Sequence, residues 1–237
     1  MIPGLSEIID LIFPAACIGC GGAVPNSFHD VCPACRDLVK PAENACPVCS
    51  GKMADGCCPI CSDRMIYMTG TIALSEYGGM MKTLISAMKF QKKPRIAGYL
   101  AELAVSQIRN TAGSIDLITS VPMNKKKQWA RGFNQSELVA RKIGKILKLP
   151  YKKVLAEMPH SGLQKTLSLN ERFINIIGRY KVIDESVAGQ SVLLVDDVFT
   201  TGATINECSR LLIDAGCHCV NALVLARVNL NSGGISC

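Results

Sequence analysis

"VLLVDDVFTTGAT", residues 192–204, decides how this chain folds. Four aliphatic residues, Val192–Val195, run into two adjacent carboxylates, Asp196 and Asp197, and a Thr/Gly-rich turn follows. An unbroken apolar run of this kind suits a strand buried on both faces of a parallel sheet. The strand is expected to stop at Val195, the chain to turn over Asp196–Thr204, and a helix to begin near Thr204. Backbone N–H groups at that helix start, with Gly202 allowing close approach, suit a phosphate dianion. Thr200, Thr201 and Thr204 add hydroxyl donors. Asp196 and Asp197 repel such a phosphate, so they should meet another part of the ligand. Carboxylates accept hydrogen bonds and vicinal sugar hydroxyls donate them, so a ribose 5-phosphate satisfies both halves of the stretch.

Outward from this stretch, strand and helix patterns alternate. Thr71–Ala73, Asp116–Val121 and Cys219–Ala226 read as further strands. Met80–Phe90, Gly98–Arg109, Asn134–Leu147 and Ile205–Ala215 read as helices, the last stopping at Gly216. This order implies an α/β domain over 65–237, a mostly parallel sheet with helices on both faces. Ligands in such sheets bind beyond the carboxyl ends of the strands, where the turns after Asp116–Val121 and Ser191–Val195 both fall.

Residues 1–64 have a different texture. Nine of the thirteen cysteines lie between positions 17 and 61, as the pairs Cys17/Cys20, Cys32/Cys35, Cys46/Cys49 and Cys58/Cys61 with Cys57 beside them. Each C-x2-C places two thiolates on one turn, and two such turns close a tetrahedral site of the kind Zn²⁺ prefers. Sequential pairing gives two sites, Cys17, Cys20, Cys32, Cys35 and then Cys46, Cys49, Cys58, Cys61. Spacing alone leaves interleaved pairing, and Cys57 in place of Cys58, open. The odd count and the lack of a recognisable signal peptide disfavour a disulfide framework. Four thiolates leave no open coordination position, so the metal is expected to be structural.

The first 64 residues carry four Lys/Arg against seven Asp/Glu, and the remainder 22 against 12. Ten cations lie between Lys125 and Lys153, opposed by Glu137 alone, which fits either a solvated helix face or an anion site. No apolar run reaches the roughly 18 residues of a membrane helix, so no membrane insertion and a cytoplasmic location are expected.

The 192–204 stretch resembles the phosphoribosyl-pyrophosphate (PRPP) motif of type I phosphoribosyltransferases. With "YGGMMKTLISAMKF" at 77–90, "SVPMNKKKQWARGFNQSELVA" at 120–140, "LQKTLSLNERFINI" at 163–176 and the cysteine pairs, the chain is similar to the ComF/GntX family of competence-associated phosphoribosyltransferase-like proteins. The resemblance implies a type I phosphoribosyltransferase fold, with a small hood, preceded by a zinc-ribbon-like module. It implies that Asp196 and Asp197, as ordinary ionised carboxylates, hold the ribose hydroxyls. Thr200, Thr201, Gly202, Ala203 and Thr204 would hold the 5-phosphate. Val121 and Pro122 match the pyrophosphate loop, and Arg131, with Lys125–Lys127, would supply positive charge there. Gln164, Arg172 and Asn175 match a flap over the site. The family usually has Arg and Thr near Glu157 and Ser161, a departure that bears on closure of that flap. The implied chemistry is Mg²⁺-assisted displacement of pyrophosphate by an acceptor, in the setting of DNA uptake. Single-stranded DNA and a competence-machinery protein are the implied partners. No residue is assigned as catalytic, because the sequence offers no acceptor-specific base.

Overall fold

The central strands form where the sequence is apolar without alternation. A computed structural model describes residues 15–25, 29–43, 45–50, 53, 58, 61, 64–111, 115–159 and 176–228. Strands β3 (Gly70–Ala73), β4 (Leu117–Ser120), β7 (Ser191–Phe199) and β8 (Cys219–Arg227) make one parallel sheet in the order β3-β8-β7-β4. Every residue of β4, and Ser191–Val195 of β7, is buried.

Alternate residues of β7 and β8 point to opposite faces, and each face has its own apolar core. On one face Leu193, Val195, Leu223 and Leu225 meet helices α2 (Gly79–Phe90), α3 (Ile96–Thr111) and α5 (Gln135–Leu147) through Leu84, Leu100, Val139 and Ile143. On the other, Val192, Leu194, Ala222 and Val224 meet α6 (Ala203–Asp214) through Ile205, Cys208 and Leu212. A short antiparallel ribbon, β5 (Leu155–Glu157) with β6 (Tyr180–Val182), packs on that second core and supplies the small hood.

Two features depart from the sequence reading. β7 does not stop at Val195, because Val198 and Phe199 continue the apolar pattern and keep pairing with Ala226 and Arg227 of β8. The paired acids therefore lie inside the strand, with one residue directed to each face. Helix α4 (Lys125–Arg131) was not anticipated, since its KKKQWAR sequence has no apolar stripe and it buries no residue. Its ends carry it: Asn124 accepts from the Lys126 N–H at 2.9 Å, and Gly132, at φ 86°, closes the C-terminus.

The cysteine segment begins with a minimal hairpin, β1 (Ala15–Ala16) against β2 (Ala23–Val24), followed by a single helical turn, α1 (Pro33–Arg36). Val24, Val31 and Val39 join the first core and Cys46, Cys49 and Cys58 join the second. Among the described residues no helix is long and apolar enough to cross a membrane.

Candidate functional site: a carboxylate and cation cavity beside a glycine turn

A cavity of about 320 Å³ opens at the carboxyl ends of β4 and β7. Val121 and Pro122 after β4, Arg131 on α4, Asp196 and Asp197 on β7, and Thr204 on α6 all line it. Thr200, Thr201, Gly202 and Ala203 form the turn beside it. Gln164, Arg172 and Asn175 lie outside the described residues.

The turn is built around Phe199. Gly202 sits at φ 78°, and a Cβ there would fall 2.4 Å from the Phe199 ring, so both conformation and space demand glycine. Thr201 is buried and its hydroxyl accepts from the Ala203 N–H at 3.3 Å, so it braces the turn from within. Helix α6 begins without a side-chain cap and without an acid in its first turn, which leaves its positive end for an anion.

The acids are held from two sides. Asp196 accepts from the Ser136 hydroxyl at 3.1 Å and the Asp197 N–H at 2.8 Å. Asp197 pairs with Lys89 of α2, N to O 2.6 Å. Burial first, then the Asp197 charge beside it, pushes the Asp196 carboxyl up to about 7 against these donors and Lys89. The expectation of an ordinary ionised carboxylate therefore changes for Asp196: it titrates near neutrality.

Asn134 fixes the opposite wall. Its side chain caps α5 by accepting from the Ser136 N–H at 3.0 Å and donates to the Val121 carbonyl at 3.0 Å. The helix that presents Ser136 is thus tied to the loop after β4. Arg131 is aimed by Gln135 Oε1 at 3.3 Å and by the Phe90 ring, 5.8 Å from its guanidinium carbon.

Lys89, Ser136 and Arg179 are site residues that the sequence reading did not single out. Lys89 follows Met88 at the end of an apolar helical stripe, where a lysine reads as a solvent-facing end. Arg179 becomes visible only once β5 and β6 pair. It binds Glu157 at 2.7 and 2.9 Å, and this contact raises the guanidinium further against its burial cost. The acid that departs from the family pattern therefore carries its own cation, and both line the cavity.

The cysteines gather in the sequential pairing, Cys17, Cys20, Cys32, Cys35 and Cys46, Cys49, Cys58, Cys61, with each set of four sulfurs within 4.8 Å of one another. Sulfur separations of 3.8, 3.9 and 3.4 Å approach the roughly 3.8 Å edge that four thiolates make around Zn²⁺. The first cysteine of each set is drawn toward the thiolate. Burial opposes it, but backbone N–H groups outweigh burial, lowering Cys17 to about 6 and Cys46 in the same direction. The residues fit the metal in number, spacing and donor type.

Residues 134–232 match the model of the phosphoribosyl transferase domain. The chain is 28% identical over 225 residues to DNA utilization protein YhgH of Salmonella typhimurium, covering 92% of this chain and 99% of that protein. It is 28% identical over 225 residues to Competence protein F of Haemophilus influenzae, with 91% and 98% covered. Competence protein ComFC of Bacillus subtilis is 26% identical over 141 residues, 59% of this chain and 56% of that one. The chain is thus similar to competence and DNA utilization proteins along nearly their whole length. The phosphoribosyl transferase match takes in α5, the hood ribbon, the β7 acids and the α6 turn, while the longer likeness also takes in the cysteine segment.

Proposed function

We propose that this protein is a ComF-like phosphoribosyltransferase that binds PRPP with Mg²⁺ and transfers the phosphoribosyl group to an acceptor, releasing pyrophosphate. The observation that carries this reading is that one cavity joins the Asp196/Asp197 pair and the start of α6 to the cations Lys127 and Arg131. The 5-phosphate lies on the first-turn N–H groups of α6 and the Thr204 hydroxyl, and the ribose hydroxyls donate to the two aspartates. The pyrophosphate faces Val121–Pro122, Lys127 and Arg131. Carboxylate, hydroxyl and carbonyl oxygens around one anionic ligand form a hard donor set that suits Mg²⁺, which neutralises the leaving pyrophosphate when bound. The C1–oxygen bond breaks with its electron pair going to pyrophosphate, the acceptor forms the new bond to C1, and its proton passes to solvent. The chain's own task is to place these groups and keep the cationic sugar from water. We assign residues 1–64 to a module holding two structural Zn²⁺ and 65–237 to the phosphoribosyltransferase-type domain.

Calorimetry with PRPP and Mg²⁺ tests the site. Binding is expected for the wild type and its loss in Asp196→Ala/Asp197→Ala; equal affinity in the double variant overturns the assignment. Hydroxyl donors need the ionised acid, and Asp196 loses its proton near 7. Affinity should therefore rise with pH through that value and level off above it.

A second reading has its own observation. Trp129, 89% exposed on α4 among Lys125–Lys127, and Phe90, 74% exposed at the end of α2 before Lys92–Lys93, lie on the two elements that bring Arg131 and Lys89 to the cavity, and the Phe90 ring lies 5.8 Å from the Arg131 guanidinium carbon. Exposed aromatics among cations suit stacked bases and their phosphates, so single-stranded DNA is the partner this rim fits. The names of the relatives, DNA utilization and competence, agree with that partner. Affinity for an oligonucleotide should then fall steeply with salt and drop in Trp129→Ala.

A further inference from the structure

Lys89 stands in an unusual position for a cavity cation, because it is already committed to one of the two acids. Its ammonium lies 2.6 Å from an Asp197 carboxylate oxygen, and both side chains are 18% exposed. The pair is sheltered enough that breaking it leaves two poorly solvated charges, yet both partners line the cavity and a ligand can reach them. Lys89 is placed there firmly. Met81, Leu84, Ile85 and Met88 bury the α2 stripe against the sheet, and Lys89 leaves that stripe at the level where β7 presents Asp197.

A sugar hydroxyl that donates to Asp197 competes with this ammonium. A ligand with hydroxyls alone displaces Lys89 and gives it nothing in return. A ligand with an anion alone draws Lys89 away and leaves Asp197 unpaired. Only a ligand that brings both, on the same side of the ring, exchanges the partners without stranding either charge.

We propose that Lys89 is a specificity-determining residue of this cavity, trading Asp197 for the anionic group at C1 of the ligand while the vicinal hydroxyls take its place on Asp197. The cavity then selects a ribose 5-phosphate carrying both hydroxyls and a C1 pyrophosphate, and it discriminates against ribose 5-phosphate and against 2-deoxy sugars. A deoxyribose strand is confined to the outer aromatic rim. This inference rests on the pentose-phosphate reading of the site.

The test is calorimetry of the intact chain with Mg²⁺ and either PRPP or ribose 5-phosphate, on the wild type, Lys89→Gln and Lys89→Arg, with melting temperatures measured alongside. The wild type should prefer PRPP. Lys89→Gln should lose about tenfold or more in PRPP affinity, the scale of one charge-assisted contact, and gain affinity for ribose 5-phosphate. Lys89→Arg keeps the charge and should keep the preference. A Lys89→Gln protein whose two affinities move together, or do not move, overturns the exchange, as does a Lys89→Arg protein that melts normally but has lost the preference. If the wild type binds neither ligand, the pentose-phosphate reading itself fails, and that result differs from every outcome in which PRPP binds.

Discussion

The two four-cysteine clusters have the same ligands but are anchored to the domain by different forces. The first rests on α3 largely through side chains at the surface. Arg36 pairs with Glu102 at 3.1 Å and lies 4.6 Å over the Tyr99 ring, His29 meets Glu102 at 3.0 Å, and Arg95 meets Asp30 at 3.2 Å. Close approach is allowed by Gly98, where a Cβ would fall 2.5 Å from the His29 ring. The second is joined through main chain and one buried cation. The Thr71 N–H donates to the Pro47 carbonyl, and the Ser50 hydroxyl donates back to the Thr71 carbonyl, so this loop covers the open edge of β3. Arg227, only 1% exposed, donates to the Ser50 carbonyl at 2.8 Å and to the Glu43 carbonyl, and pairs with Glu76 at 3.2 Å. The polar contacts that dock the first cluster lie mostly where water can replace them, beside the apolar seat of Val24, Val31 and Val39. The second closes over a charge that water cannot reach.

This difference extends to the cavity. Arg227 is paired with Phe199 across β7 and β8, and Phe199 is the ring beneath Gly202. The second cluster is therefore one strand and one side chain from the turn assigned to the phosphate.

The largest effect should come from opening the second cluster. Cys49→Ser frees the segment that carries Pro47 and Ser50 and exposes Arg227 and the β3 edge together. Loss of about 3–5 kcal/mol is expected, the scale of a broken buried charge arrangement, with the melting temperature falling and PRPP affinity lost in parallel. A chain that melts unchanged after removal of metal from this cluster would break the comparison at its root. Cys20→Ser, at the exposed corner of the first cluster, should cost clearly less and leave PRPP binding in place.

Next in size is Arg227→Met, which keeps all eight cysteines and the apolar stem. Two carbonyls, of Ser50 and Glu43, lose their donor, so about 2–4 kcal/mol should be lost. Zinc content measured by atomic absorption should stay equal to that of the wild type while PRPP affinity weakens. Unchanged affinity would separate the second cluster from the phosphate turn.

These relations were legible in the sequence to very different degrees. The four cysteine pairs follow from C-x2-C spacing, because a turn sets the thiolate separation locally, but which pairs share a cluster was settled only by the fold. The sheet follows from apolar runs such as LITS and VLLV, and the acid pair with its glycine turn from a contiguous stretch. Arg227 was not legible. It ends an apolar strand where a charge reads as the exit to solvent, and its partners lie over 150 residues away in sequence. Lys89 and Arg179 were hidden for the same reason, since each is defined by an acid on another element. The continuation of β7 through Phe199 was missed because two carboxylates look like a strand end until pairing with β8 is known.

The smallest effect should be at Glu102, the hub of the first cluster's docking. Its side chain is 46% exposed and receives both His29 and Arg36. Exposed pairs gain little over their solvated partners and are screened by salt, so Glu102→Ala should cost less than about 1 kcal/mol. The cost should shrink further in high salt, whereas that of Arg227→Met should not, because Arg227 is sealed from counterions. The apolar residues Val24, Val31 and Val39 continue to hold the first module in place when the charges are gone. Thermal melts of both variants at low and high salt give the comparison directly. A Glu102→Ala loss as large as that of Arg227→Met, and as insensitive to salt, would show that both clusters are docked by buried charge and that the distinction between them does not hold.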